Sequence, residues 1–153
     1  MRLWRAFGLA MLVALALPQP VAVNAQLALD KVTVVTANAR HDFEVELANT
    51  DETRARGLMH RRFLPANRGM LFDMGRIGEA SFWMQNTYIP LDILFIRPDG
   101  TIAKIAENTQ PLSTRTVSSG EPVLGVLEIN GGLSAKLEIR AGDRVVHPLF
   151  AGR

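Results

Sequence analysis

The chain of 153 residues contains no cysteine. That absence excludes disulfides, thiolate metal sites, thiol nucleophiles and dithiol redox exchange. Neither H-x-H nor H-E-x-x-H occurs, so nothing points to zinc, and no other cofactor motif is present. No G-x-S-x-G elbow occurs, and the three histidines, His41, His60 and His147, lack partners at a catalytic spacing. Repeats, low-complexity tracts and regular strand–helix alternation are missing too.

Long apolar runs are also scarce. The stretch Ala6 to Leu17 is twelve residues, well short of the ~20 that span a bilayer. It follows Arg2 and Arg5, is broken by Pro18 and Pro20, and leads to the small-residue sequence Val23-Asn24-Ala25. This is the layout of a secretory signal peptide cut before Gln26. An uncleaved anchor running on to Val23 is the alternative. Residues 1–25 therefore read as a signal, and residues 26–153 as a single domain in the periplasm or outside the cell.

Excess charge of either sign is lacking once the signal is removed. The full chain has 17 basic and 15 acidic residues. Arg2 and Arg5 leave with the signal and no acid precedes Gln26, so the remainder balances at fifteen of each. A neutral exported domain is a poor partner for nucleic acid, which asks for a basic face. Stable membrane insertion is not expected after cleavage.

What is present is mostly short strands. Gln26 to Asn38 reads as one strand. His41 to Leu47 alternates, with His41, Phe43, Val45 and Leu47 on one face and acids on the other, the period-two mark of a half-buried strand. Asn49 as N-cap with Glu52 three residues on predicts a short helix to about His60. Pro65 to Gly69 is a loop, Gly69 to Phe72 an apolar run and Gly75 to Glu79 a turn. Phe82 to Thr87 and Leu91 to Ile96 are strands, and Pro98-Asp99-Gly100 turns into a third over Thr101 to Ala106. Asn108 to Gly120 is a polar loop, and Pro122 to Ile129 a strand. Gly131 to Leu137 is a short helix that Ser134 can cap. Arg144 to His147 is the last strand. The fold class is mainly β: a compact antiparallel barrel or sandwich, jelly-roll-like, with one or two short helices.

The stretch "SFWMQNTYIPLDILFI", Ser81 to Ile96, concentrates the polar groups. If Tyr88-Ile89-Pro90 is a hairpin loop, Asn86 lies opposite Asp92 across it. Asp92 sits among apolar residues, so its carboxylate must be paired or hydrogen-bonded. It is either a structural tether or a group poised in a cleft. Trp83 and Tyr88 flank the turn; beside Asn86, Thr87 and Asp92 they suit a sugar or peptide ligand, unless Trp83 is simply buried.

The ordered motifs Gly57-Leu58-Met59-His60-Arg61, Gly69-Met70-Leu71-Phe72, Phe82-Trp83-Met84-Gln85-Asn86-Thr87, Pro90-Leu91-Asp92-Ile93, Leu127-Glu128 and Gly142-Asp143 resemble those of domain of unknown function 192, an exported bacterial and archaeal family. The resemblance covers about Phe43 to Val146. It implies a single barrel- or jelly-roll-like β-domain and assigns no activity. Its signature positions here are Arg56, Gly57, Met59, Arg61, Gly69, Met70, Trp83, Met84, Asn86, Thr87, Asp92 and Glu128. Gln85 stands where the family commonly has lysine.

The candidate ligand-binding set is therefore Arg56, Trp83, Asn86, Thr87, Asp92 and Glu128, serving a small envelope binding or accessory module with an unidentified small-molecule, sugar or peptide ligand. A first alternative makes Asp92 and Glu128 the acid and base of a hydrolase, although Glu128 can equally pair with Arg56 or Arg61. A second makes Met59, Met70, Met74 and Met84, with His60, a soft copper site, although methionine is also an ordinary core filler.

Overall fold

The computed structural model describes residues 29–152; the expected signal segment lies outside them. Seven strands form one sheet: β1 (Leu29–Val35), β2 (Arg40–Ala48), β3 (Arg68–Phe82), β4 (Leu91–Ile96), β5 (Ile102–Thr109), β6 (Val117–Asn130) and β7 (Arg144–Val146). Their spatial order is β5-β4-β6-β3-β2-β1-β7. The sheet curls until its two outer strands touch at one end. There Thr101 bridges Arg144, and the Val145 N–H donates to the Gly100 carbonyl at 2.7 Å. The mainly-β barrel-like class expected from the sequence is the observed one. The pairing is antiparallel except between β2 and β3, which run parallel. Helix α1 (Asp51–Arg56) lies in the connection between them, as a parallel crossover requires.

Both faces of the sheet centre are apolar. In β4 every residue is buried. Leu94 and Ile96 enter one core with Val32, Val34, Phe43, Val45, Leu71, Leu127, Ile129 and Val145. Leu91, Ile93 and Phe95 enter the other with Met70, Phe72, Met84, Val123 and Val126. This is why β4, apart from Asp92, reads as an apolar run while half-exposed β2 alternates. The second core is capped by Leu58 and Leu64, from the segment after α1, and by Met84 and Ile89, from the segment before β4.

Several boundaries differ from expectation. The helix cap is Thr50, one residue later than Asn49. Thr50 Oγ1 accepts from the Thr53 N–H at 3.2 Å, and Thr53 Oγ1 accepts from the Thr50 N–H at 3.0 Å. Gly75 to Glu79 does not end a strand; β3 continues through it with register shifts against β6. The loop expected over Asn108 to Gly120 is shorter, because β5 reaches Thr109 and β6 starts at Val117. Ser134 lies within α2 (Leu133–Lys136) rather than capping it; Gly132 holds the cap position with φ +78°. Among the described residues no helix is long and apolar enough to cross a membrane.

The expected Phe82–Thr87 hairpin with β4 is not formed. Only Phe82 belongs to a strand, and β4 pairs with β5 and β6 instead. Trp83 to Pro90 is irregular: Thr87 N–H turns back to the Met84 carbonyl, and Asn86 takes a left-handed φ of +55°. Pro90 has no N–H to give a ladder, and its carbonyl accepts from Gly131 instead. Met84 N–H donates to Ser113, so this segment is tied to the β5–β6 connection.

Candidate functional site

The six candidate residues separate into a pocket group and two residues outside it. A cavity of about 390 Å³ lies over the second core, lined by Arg56, Trp83, Thr87 and Glu128 together with Asp51, Arg54, Gly57, Leu58, Met59, Phe72, Met74, Ser81 and Phe82. Its volume suits a small-molecule site. The C-terminal end of α1 and the turn after it form one wall, Trp83 and Thr87 the other, and β3 and β6 the floor. Gly57 makes the first wall possible. It sits at φ 48°, ψ −137°, a conformation essentially restricted to glycine, and a Cβ there would meet Phe72 Cζ at 3.3 Å.

Glu128 is the unusual residue. It lies on β6 between Met70 of β3 and Ile93 of β4 in register, so its side chain shares a face with Val126 and the second core. It is 4% exposed, and no donor among the described residues hydrogen-bonds its carboxyl. The alternative pairing with Arg56 or Arg61 does not occur. Arg56 reaches Glu52 at 2.8 Å, and Arg61 forks onto Glu46 at 2.5 and 2.6 Å. Burial without a compensating partner pushes the Glu128 carboxyl up to about 8, because the charged form loses its hydration and gains nothing in return. At neutral pH it is a neutral acid, able to donate one hydrogen bond into the cavity.

Apart from the exposed Ser81, the rest of the pocket is apolar or already paired. Phe72 and Phe82 meet edge to face at 4.9 Å. Trp83 is half-exposed at 50%, a flat indole at the rim. Arg54 donates to the Asp73 carbonyl at 2.8 Å and to Asp51 at 2.7 Å. Thr87 is buried, its hydroxyl donating to the Gln85 carbonyl at 3.3 Å.

Asp92 is not in this pocket. Its carboxylate accepts three backbone N–H bonds, from Asn108 at 2.7 Å, Gly132 at 2.8 Å and Ser134 at 2.7 Å. It thereby anchors the end of β5 and the start of α2 to β4. In register Asp92 faces Ile129, one residue from Glu128, so the two carboxyls emerge on opposite faces of the sheet. They do not share a cleft, and the acid–base pair expected for a hydrolase is not assembled. Asn86 is exposed and also outside the pocket lining. Its carbonyl accepts from His60 N–H at 2.8 Å, and its amide lies 3.9 Å from Met59 Sδ.

The methionines divide likewise. Met70 and Met84 are buried core residues, and Met84 Sδ accepts from the Thr109 hydroxyl at 3.1 Å. Met59 and Met74 line the pocket. No group of three or more His, Asp or Glu residues able to hold a metal exists among the described residues. The ligand-binding set expected from the sequence omitted Arg54, and it omitted Met74, named there only for the copper alternative; their place in the pocket depends on the angle of α1 and on the irregular middle of β3, which no local pattern encodes.

The family model described as "Uncharacterized ACR", domain of unknown function 192, matches residues 32–147. The chain belongs to this family. Two crystal structures share its fold. One is of a "putative transcription regulator" from Sinorhizobium meliloti 1021, 45% identical, with a TM-score of 0.77 over 78% of this chain and 94% of that one. The other is of a protein of unknown function from Novosphingobium aromaticivorans DSM 12444, 43% identical, with a TM-score of 0.78 over 84% of this chain and 90% of that one. No curated protein matches the chain. The domain of unknown function 192 fold thus comes without an assigned activity, and the pocket is the starting point for one.

Proposed function

We propose that this member of the domain of unknown function 192 family is a small ligand-binding module, acting in the cell envelope, whose site is the Glu128–Trp83 pocket. The observation that carries the reading is Glu128 itself. A polar group buried without a partner costs roughly 1–3 kcal/mol, and an apolar residue at this sheet position would avoid that cost. A stability sacrifice at the floor of an open cavity is what a binding site demands. The indole at the rim supplies a flat apolar surface, and the signal-like layout before Gln26 favours the envelope.

The test is a thermal-shift screen of metals, cell-wall fragments and oligosaccharides against the wild type, E128L and W83A. A ligand at 100 times its Kd adds roughly 2.7 kcal/mol. The reading expects hits that the wild type shows and both variants lose. Hits that persist equally in both variants place the ligand elsewhere and overturn it.

A further inference from the structure

The pocket's ligand class follows from the state of the groups that line it, given the binding reading above. The charged lining residues are Asp51, Arg54 and Arg56, all on α1 or at its ends. Arg54 is held by Asp51 and the Asp73 carbonyl, and Arg56 by Glu52. β3 and the Trp83–Thr87 segment contribute no charged side chain to the lining, and the β4 residues on this face, Leu91, Ile93 and Phe95, are apolar. Each arginine charge is already balanced by a carboxylate, Asp51 or Glu52, so the pocket carries no surplus positive charge for a ligand anion. The buried unpartnered group in the lining is the Glu128 carboxyl, fixed at the centre of the sheet.

We propose that the pocket takes an uncharged ligand of about monosaccharide size, with a hydrogen-bond acceptor that reaches Glu128 and a flat apolar face that lies against Trp83. Glu128 acts as donor to a carbonyl or hydroxyl oxygen of that ligand. A ligand that fills the cavity displaces the water that can accept from Glu128, so one that brings no acceptor of its own leaves the donor unpaired and is rejected. Burial of the aromatic rim against a C–H face supplies the apolar part of the contact. A cation would instead draw the proton off Glu128, and an anion would lose its hydration over an apolar floor with no surplus positive charge to offset the loss.

Three matched probes distinguish these cases: N-acetylglucosamine, which is neutral with an amide carbonyl; glucosamine, which is cationic; and N-acetylmuramic acid, which is anionic. Binding is read on the Trp83 indole N–H signal of the 15N-labelled full chain, assigned through W83F. N-acetylglucosamine is expected to bind more tightly than the other two. Its affinity falls about tenfold between about pH 6.5 and about pH 9, because only the protonated fraction of the site is competent. E128Q, neutral and still a donor, keeps the binding and loses the pH dependence, whereas E128L loses the binding. Preference for glucosamine at neutral pH, lost in E128Q, overturns the neutral class while leaving the pocket a binding site. Preference for N-acetylmuramic acid, lost in R56A, does the same. A Trp83 signal that no probe moves at high millimolar concentration removes both the class and the pocket reading.

Discussion

Replacing Glu128 by glutamine separates a neutral buried acid from an ordinary carboxylate. The folded chain holds the Glu128 proton up to about pH 8, against 4.5 for an unburied carboxyl. Between those values the unfolded chain has released a proton that the folded chain retains. Stability contributed at this position therefore falls as pH rises through that window. At about 1.4 kcal/mol per pKa unit, the loss between pH 4 and pH 7 is about 3 kcal/mol. E128Q keeps the shape and a donor but cannot titrate. Other acids move the opposite way: Glu121 is held below its usual range by its hydrogen bond to Arg97, and Asp42 by Lys31 and Thr33. Those contributions are common to both chains and cancel in the difference. Urea unfolding of wild type and E128Q across this range should give a stability gap that grows by about 3 kcal/mol in favour of E128Q as pH rises from 4 to 7. Parallel curves, with a gap changing by less than ~0.5 kcal/mol, would refute the argument.

The remaining predictions concern the frame around the pocket. D92A strands three backbone N–H groups that now bond one carboxylate, and should cost about 3–5 kcal/mol in denaturant unfolding; a loss under ~1 kcal/mol would show that the anchor is dispensable. G57A forces a Cβ onto a glycine-only backbone beside Phe72, and about 1–3 kcal/mol of destabilisation should accompany a weakened ligand response. W83A removes a half-exposed ring and should abolish binding with a stability change within ~1 kcal/mol; a large loss of stability would make Trp83 structural. T50A removes the α1 cap and should cost about 1 kcal/mol.

Much of the fold was legible because its strands are bounded by strong local signals. The period of two in His41 to Leu47 and the Pro98-Asp99-Gly100 turn both mark real elements, β2 and the β4–β5 connection. The parallel β2–β3 pairing was not legible: it is chosen by which apolar edges meet after α1, not by any residue in either strand. The hairpin at Tyr88 to Pro90 failed for a related reason. Aromatic and β-branched residues over Phe82 to Thr87 look like a strand, but Asn86 at φ +55° and the Met84–Thr87 turn bend the chain off the sheet. This matters for the site, because the bend is what brings Trp83 and Thr87 over Glu128. Asp92 could be recognised as a buried carboxylate needing partners, while the identity of those partners, three backbone groups from distant segments, could not. Glu128 was visible as a candidate. That it lies on the opposite sheet face from Asp92 depends on a one-residue register between β4 and β6, which a single sequence does not carry.

The most direct measurement of the central claim is the 13C titration of the Glu128 Cδ signal, assigned by its loss in E128Q. A midpoint near 8, with a shift when N-acetylglucosamine is added at neutral pH, is the predicted result. A midpoint near the ordinary 4.5, unmoved by the sugar, would contradict the account of Glu128 as the neutral, ligand-seeking floor of the pocket.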